Sequence, residues 1–263
     1  MRYGICTGPE HLADVASAGF DYAEFSLNAI AAMTDSDFES LLGQVARSSI
    51  KPEALNGFFP WQMRIVGPEA DPEAIDTYIV SALARAARLG IRVCVVGNGG
   101  ARRVPDGMPL EEGLRQFRDV LRRIGDAAAP LGIEIAIEPL NAAESNIVLS
   151  MEDGAALTGQ VGHPQVRLLA DFYHMRRNGE PMETLTCAQG ILRHVHIANS
   201  QGRIYPANLE EDLYAPFFSM LDRIGYDGRI SVEASTADLA ADAPRALSML
   251  RLAEAAARAG NTQ

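Results

Sequence analysis

The chain has 263 residues, 48% of them hydrophobic, and a formal net charge of −11 at pH 7. A chain of this size can bury a substantial core, and its length suits one large barrel domain or two small domains. The acidic balance argues against a protein that binds nucleic acid mainly through its phosphates, because such binding needs clustered lysine and arginine.

Short segments of β-like composition alternate along the chain with segments that carry helical signals. The β-like segments are residues 2–6, 22–27, 50–59, 91–97, 133–140, 166–175, 194–199 and 229–235. The helical segments are residues 9–19, 35–49, 71–90, 110–132, 150–162, 180–191, 209–225 and 238–260. Several helical segments open with an acidic residue or serine together with proline, and several close on glycine, as helix termini commonly do.

This alternation predicts the fold. Strands that alternate with helices form parallel βαβ units, and eight such units at this length predict a closed (β/α)8 TIM barrel rather than an open doubly wound sheet. No linker, low-complexity run or clear internal repeat divides the sequence. We therefore expect a single domain over residues 1–263.

Polar residues stand late in four consecutive predicted strands. The fifth strand ends at Glu138, the sixth at Asp171 and the eighth at Glu233, while the seventh carries His194 and His196. Each has a structural explanation when taken alone, as a strand terminator, a capping carboxylate, an interior imidazole or an ion-pair partner. The active site of a (β/α)8 barrel lies at the carboxyl ends of its strands, so these residues are expected to meet there.

Three carboxylates at one barrel mouth predict a metal site. Burying them is costly unless a positive charge neutralises them, and the only lysine, Lys51, lies elsewhere. The predicted ligands are Glu138, Asp171, His196 and Glu233. This set of three oxygens and one nitrogen suits Mn²⁺ best, with Mg²⁺, Co²⁺ and Zn²⁺ as alternatives, and its lack of cysteine argues against a closed structural zinc site. His194 is expected to serve packing or to support the ligands.

The residues at the strand ends resemble the xylose isomerase-like TIM barrel family. More narrowly they resemble its sugar isomerase and epimerase branch, which includes D-tagatose and D-psicose 3-epimerases and hydroxypyruvate isomerases. The resemblance rests on "IEPLNAAESN", "DFYHM", "HVHIANSQGR" and "GYDGRISVEAS", with "VVGNGGARRVPDG" after the fourth strand. It implies one divalent metal on the four residues above, and it implies that Glu144, His174 and Arg203 bind the substrate. Arg203 stands one residue away from the position that the epimerases would give it.

An aromatic residue is a further candidate for the substrate site. Trp61 follows the third predicted strand and could cover the apolar face of a sugar, although an aromatic in this place is as often part of the packing.

The resemblance also implies a reaction. In the resembling enzymes the metal binds O2 and O3 of a ketose and stabilises a cis-enediolate, while two carboxylates exchange protons on opposite faces of the reacting carbon. Here these catalytic carboxylates are Glu138 and Glu233. The expected function is a divalent-metal-dependent sugar isomerase or epimerase that acts on a ketose or a related small polyol. Whether the substrate is phosphorylated, and which of the two reactions takes place, stays open.

Three other functions share parts of this pattern. A lyase or dehydratase of a keto-sugar or keto-cyclitol, similar to inosose dehydratase, needs the same metal and base and a β-hydroxyl that can leave. A DNA-repair enzyme similar to endonuclease IV is disfavoured by the acidic charge, and because the loops after the third and fourth strands lack the extra histidines of a trinuclear zinc site. A noncatalytic sugar-binding protein is disfavoured because it would not need all four ligands.

The expected partner is therefore a small-molecule sugar, with no nucleic acid and no membrane. The chain has three widely separated cysteines without a CxxC pair, no stretch of about 18 apolar residues and no signal-peptide pattern, so a cytoplasmic location is expected. The family resemblance adds an expectation of a homo-oligomer, either a dimer or a tetramer.

Overall fold

Eight parallel strands form a closed barrel in chain order. The structure, a computed structural model, describes residues 1–260. Its strands are β1 Arg2–Cys6, β2 Tyr22–Ser26, β3 Pro52–Asn56, β4 Val93–Val96, β5 Glu134–Ile137, β6 Val166–Asp171, β7 Leu192–Ile197 and β8 Arg229–Val232. Each strand pairs with the next, and β8 pairs with β1 to close the barrel. The predicted (β/α)8 barrel is confirmed.

Helices cover the outside of the barrel. They are α1 Leu12–Ser17, α2 Leu27–Ala31, α3 Asp35–Arg47, α4 Pro72–Arg88, α5 Gly99–Arg102, α6 Leu110–Ala128, α7 Met151–Val161, α8 Phe172–Arg177, α9 Tyr214–Arg223 and α10 Leu239–Gly260. Short 3-10 helices lie at Pro9–His11, Ala129–Leu131, Met182–Ala188 and Leu209–Glu211. No helix within residues 1–260 is both long enough and apolar enough to cross a membrane.

Helix α4 shows how the sequence specifies an outer helix. Asp71 caps it by accepting hydrogen bonds from two backbone N–H groups of the first turn, and Pro72 occupies the first helical position, where no N–H is needed. Ile75, Ile79 and Leu83 repeat every four residues and are buried. Burying this apolar stripe against the barrel stabilises the helix.

The alternation of side chains along each strand fills the barrel interior in layers. Small apolar side chains form one interior cluster, Ala54, Val93, Val95, Ala136 and Leu169. Because side chains on one face of a strand recur every two residues, Glu138 follows Ala136 inward and Asp171 follows Leu169. The strand register pairs Asp171 with His196 on β7, at the same level of the barrel. The sequence therefore places its acids directly beyond an apolar layer.

Two predicted segments differ from the structure. The β-like segment 166–175 is longer than the strand, which ends at Asp171 as the position of this acid predicted. The Asp171 carboxylate accepts a hydrogen bond from the Tyr173 N–H and begins α8. The segment 180–191 was expected to be a regular helix, but it forms the 3-10 helix Met182–Ala188. There the hydroxyls of Thr184 and Thr186 bind backbone carbonyls three residues earlier, which favours the tighter turn.

Candidate active site

The structure brings the four predicted metal ligands together at the carboxyl end of the barrel. One ligand atom from each of Glu138, Asp171, His196 and Glu233 lies within 4.8 Å of all the others. Nδ1 of His196 is 3.1 Å from Oε1 of Glu138 and 3.4 Å from Oε2 of Glu233. Glu138, Asp171 and His196 are buried, whereas Glu233 is partly exposed. Glu233 is therefore the member of the cluster that solvent reaches most easily.

Asp171 and His174 each leave one buried polar atom without a hydrogen bond. Among residues 1–260, neither Oδ2 of Asp171 nor Nε2 of His174 has a hydrogen-bond partner, and the two atoms are 3.4 Å apart. An unpartnered buried carboxylate oxygen is costly, and a cation at this point would remove that cost. Hard oxygen donors with one imidazole nitrogen also match the ligands that Mn²⁺ and Mg²⁺ prefer. The donor set therefore fits a divalent metal.

The ionisation of the cluster reflects its burial and its crowded charges. Burial raises the pKa of Glu138, and burial together with the nearby Glu233 charge raises the pKa of Asp171 to about 6. Burial also opposes ionisation of Glu233, but His196 and Arg203 outweigh it and lower the pKa of Glu233 to about 2. Burial would lower the pKa of His196, yet the surrounding carboxylates raise it well above its ordinary value. Such a concentration of acids attracts a cation.

The predicted substrate-binding residues Glu144, His174 and Arg203 border the same cluster. His174 is buried, and its Nδ1 accepts a hydrogen bond of 3.2 Å from the backbone N–H of Asn141. This contact leaves the imidazole proton on Nε2, and burial lowers the pKa of the ring so that it stays neutral. Oε1 of Glu144 accepts a hydrogen bond from the Asn141 side chain.

Arg203 lies across the mouth of the cluster. Its guanidinium donates a hydrogen bond of 2.6 Å to Oε2 of Glu233, lies 3.5 Å from Oε1 of Glu144 and stacks over the ring of Tyr173 at 4.7 Å. The backbone of Arg203 has a φ of 51°, an uncommon conformation for an arginine. Trp61, in contrast, lies on the loop after β3 with 71% of its surface exposed, outside the buried cluster.

Comparison with known proteins places the chain in a family. A family model described as "Xylose isomerase-like TIM barrel" matches residues 12–253. The chain belongs to this family. The resemblance seen in the sequence is thereby confirmed.

Several similar proteins are named as sugar epimerases or isomerases. An L-ribulose 3-epimerase of Methylomonas sp. is 28% identical over 235 residues, which are 87% of this chain and 78% of the relative. A ketose 3-epimerase of Arthrobacter globiformis is 30% identical over 142 residues, 53% of this chain. That match spans only 48% of the Arthrobacter protein.

Solved structures of other proteins share the fold along nearly the whole chain. An L-ribulose 3-epimerase superposes with a TM-score of 0.85 at 21% identity, covering 99% of this chain and 97% of the other. A D-allulose 3-epimerase from Methylomonas sp. in complex with D-allulose gives a TM-score of 0.83 at 22% identity, with 96% of each chain covered.

The main residue that the sequence analysis missed is Glu24 on β2. It is completely buried and contacts both histidines of β7, with Oε2 at 2.6 Å from His194 Nε2 and Oε1 at 3.0 Å from His196 Nε2. The signal was available, since "YAEFSL" places one acid inside an otherwise apolar strand. His194, expected to pack or to support the ligands, reaches the site through Glu24.

A buried arginine supports the loops around the site and was also missed. Arg102 of α5 is completely buried and donates long hydrogen bonds to the carbonyls of Val96 and Val148 and to the hydroxyl of Ser145. Burial lowers its pKa to about 10, so it stays charged at neutral pH. Arg102 therefore ties the end of β4 to the loop that carries Glu144.

Proposed function

We propose that the protein is a divalent-metal-dependent sugar epimerase or isomerase. Its substrate would be a ketose or a related small polyol, and the reaction would move a proton on a carbon next to the carbonyl through a cis-enediolate. The observation that carries the proposal is the pair of carboxylates, Glu138 and Glu233, that flank His196 within a cluster of four side chains able to hold a metal. Relatives named as ketose 3-epimerase, L-ribulose 3-epimerase and 2-oxo-tetronate isomerase support the same reaction class.

The metal would be held by the four clustered residues, with Mn²⁺ as the proposed ion. When bound, such an ion polarises the substrate carbonyl and stabilises the negative charge that proton removal creates. Asp171 and Glu138 are free to bind a cation because few protein groups donate hydrogen bonds to them. Oδ1 of Asp171 accepts one backbone N–H. Oδ2 has no hydrogen bond within residues 1–260, and it lies 3.4 Å from Nε2 of His174 and 3.8 Å from a guanidinium nitrogen of Arg203.

Glu233 is held by two donors, one from the end of β3 and one from the loop after β7. The Asn56 side chain donates a hydrogen bond of 2.9 Å to its Oε1, and Arg203 donates one of 2.6 Å to its Oε2. These contacts fix the carboxylate and favour its ionised form, as a group that accepts a proton from carbon requires. Glu138 would deliver a proton to the other face of the same carbon, which inverts the configuration. If Glu138 served only as a ligand, the outcome would be isomerisation through a single base.

The remaining polar residues would grip the sugar hydroxyls. The Nε2–H of His174 would donate to a substrate oxygen beside the ligands, and the guanidinium of Arg203 would donate to another. Glu144 would accept a hydrogen bond from a hydroxyl while the Asn141 side chain holds it in place. Trp61 would cover an apolar sugar face from the loop after β3.

Metal content and solvent exchange test this proposal together. ICP-MS should find nearly one divalent metal per chain in the wild type after Mn²⁺ reconstitution. Incubation of ketoses and keto-cyclitols in D2O should give a new sugar with deuterium at the exchanged carbon, detected by NMR. Glu233→Gln should bind the metal more weakly and abolish the exchange. Lack of metal in the reconstituted wild type, or full activity in Glu233→Gln, would contradict the proposal.

Product structure separates the epimerase from the lyase. An inverted carbon identifies an epimerase and a moved carbonyl identifies an isomerase, whereas loss of water identifies a dehydratase of the same substrate class. The cytoplasmic location and the homo-oligomeric state stay predictions from the sequence.

A further inference from the structure

Glu24 is a completely buried carboxylate next to the site, and both of its oxygens accept hydrogen bonds from the protein. Oε1 accepts from His196 Nε2 at 3.0 Å, while Oε2 accepts from His194 Nε2 and from the hydroxyl of Ser231, both at 2.6 Å. The hydroxyl of Tyr22 in turn lies 2.8 Å from the Ser231 hydroxyl and completes the chain of hydrogen bonds. Both oxygens of Glu24 are therefore engaged by protein donors, which hold the carboxylate in one orientation.

The contact with Glu24 decides which ring nitrogen of His196 is available to bind a metal. A carboxylate accepts hydrogen bonds and cannot donate them, so the Nε2 atom of His196 must carry a proton. The other ring nitrogen, Nδ1, points at the carboxylates of Glu138 and Glu233. A ligating histidine commonly donates its second N–H to a carboxylate, which fixes the tautomer and the orientation of the ring.

We propose that Glu24 is a positioning residue that makes Nδ1 of His196 the metal-binding atom. This inference rests on the proposed function only in assuming that the four clustered residues hold a divalent metal. Glu24 acts through His196 and touches neither metal nor substrate. His194 and Ser231 hold the second oxygen of the carboxylate, so that Glu24 cannot rotate away from His196.

The substitution Glu24→Gln tests the role with little change in size. The glutamine amide offers one acceptor oxygen and one NH2 donor, so it can accept from only one of the two histidines. When the NH2 faces His196, the imidazole must move its proton to Nδ1 and loses the metal-binding lone pair. When the oxygen faces His196, the NH2 opposes the N–H of His194 and the pairing is strained.

We expect Glu24→Gln to bind Mn²⁺ and Co²⁺ about 10- to 100-fold more weakly than the wild type. Equilibrium dialysis with metal analysis measures the affinity without any substrate. Circular dichroism and melting in EDTA show whether the variant is folded. An unchanged Mn²⁺ affinity in a folded Glu24→Gln protein would overturn the inference.

Two further variants separate positioning from general damage to the barrel. In a His196→Ala background, Glu24→Gln should weaken Mn²⁺ binding no further, because Glu24 acts through the missing ring. Ser231→Ala removes a donor to Glu24 but leaves the His196 contact, so its effect should be much smaller than that of Glu24→Gln. Equal losses in Ser231→Ala and Glu24→Gln, or a full Glu24→Gln effect without His196, would contradict the positioning role.

A measurement on the unmodified sequence decides the matter even if Glu24→Gln does not fold. The chain has five histidines, so ¹⁵N labelling of histidine gives a simple imidazole NMR spectrum. With Zn²⁺ as a diamagnetic ion, the signal that disappears in His196→Ala should show a proton on Nε2 and the metal on Nδ1. A proton on Nδ1 would overturn the inference. If no ion binds at all, it is the proposed function that fails.

Discussion

At the scale of single residues, His174 has one ring nitrogen committed to the protein and one left over. Nδ1 accepts a hydrogen bond from the backbone N–H of Asn141, and the side-chain amide nitrogen of Asn141 lies 2.9 Å from the same Nδ1 atom. Nε2 has no hydrogen-bond partner among residues 1–260 and lies 3.4 Å from Oδ2 of Asp171. A neutral donor fixed beside the ligands can stabilise charge that develops on a substrate oxygen.

We therefore expect His174→Gln to lower kcat/KM by about 100-fold, the usual effect of removing one such donor. Metal content should remain near the wild-type value, because His174 is not one of the four ligands. Steady-state kinetics and ICP-MS measure the two quantities. His163→Gln, at a partly exposed histidine near Asp126, is the matched control and should keep full activity. Full activity in His174→Gln would exclude the donor role.

The residues that the sequence could identify are those that stand at strand ends. Glu138, Asp171 and Glu233 interrupt apolar runs at the places where a barrel exposes its catalytic face, so strand order alone predicts that they meet. Glu24 interrupts an apolar strand in the same way, but its partners His194 and His196 are 170 and 172 residues away in the chain. Periodicity shows that Glu24 points inward, whereas its pairing requires knowledge of how β2 lies opposite β7 and β8.

At the scale of secondary-structure elements, the end of β4 makes room for the side chain of Glu138. A Cβ atom at Gly97 would lie 1.9 Å from Oε2 of Glu138. No side chain other than hydrogen fits there unless Glu138 moves. The glycine after β4 is therefore part of the geometry that brings the β5 carboxylate into the cluster.

Gly97→Ala should displace Glu138 and weaken Mn²⁺ binding by at least tenfold, with a loss of about 1 to 3 kcal/mol in unfolding free energy from overpacking. Gly159→Ala is the matched control, because no atom lies within 4 Å of its added Cβ and it is exposed within α7. That substitution should leave metal binding intact and increase stability by about 0.5 to 1 kcal/mol. Dialysis and urea unfolding measure both effects. Unchanged metal affinity in Gly97→Ala would show that Glu138 does not depend on this space.

Helix α8 is tied to the loop after β7 by Asp212. Its Oδ1 accepts from Arg176 Nε at 2.6 Å, and its Oδ2 accepts from the backbone N–H of Ser200 at 3.0 Å. Burial opposes ionisation, but these hydrogen bonds outweigh it and lower the pKa of Asp212 below its ordinary value. The stabilising effect of the carboxylate is then complete above the ordinary aspartate pKa of about 3.9 and is lost as the pH falls through the lowered value.

Asp212→Asn should lower the unfolding free energy by about 1 to 2 kcal/mol at pH 7, because a charged acceptor is lost. The difference from the wild type should shrink only as the pH falls below about 3.9, where the carboxylate of the unfolded chain takes up a proton while the folded one, with its lowered pKa, is still ionised. Urea unfolding at a series of pH values measures this difference. The exposed neighbour Glu210 provides a control, since Glu210→Gln should change stability by less than about 0.5 kcal/mol. A difference that persists unchanged into strong acid would rule out ionisation as the cause.

Element boundaries were harder to predict than element order. The alternation of strands and helices gave all eight strands because it depends on periodicity over many residues. The end of β6 at Asp171 and the 3-10 form of Met182–Ala188 depend on single side-chain bonds to the backbone. Such local competition leaves only a weak trace in the hydrophobic pattern.

At the scale of the whole molecule, the site exists only when the barrel is closed. Glu24, Glu138, Asp171, His196 and Glu233 come from five segments spread over more than 200 residues of the chain. The unfolded chain cannot hold Glu138, Asp171, His196 and Glu233 within 4.8 Å of one another, so an ion would bind the native state and hardly bind the unfolded one. Under the proposed function, metal binding and global folding would thereby be linked.

Removal of the metal should therefore lower the melting temperature of the entire chain in one transition. At a free Mn²⁺ concentration of about 100 times Kd, linkage predicts about 2.7 kcal/mol of stabilisation, equivalent to roughly 5 to 10 °C for a chain of this size. Differential scanning calorimetry in EDTA, followed by Mn²⁺ addition, measures the shift. Asp171→Asn, which keeps the side-chain volume and the oxygen that caps α8, should melt at the same temperature with and without Mn²⁺. A wild-type melting temperature that stays the same in EDTA and in Mn²⁺ would mean that the four side chains, although they converge, do not hold an ion in the folded protein.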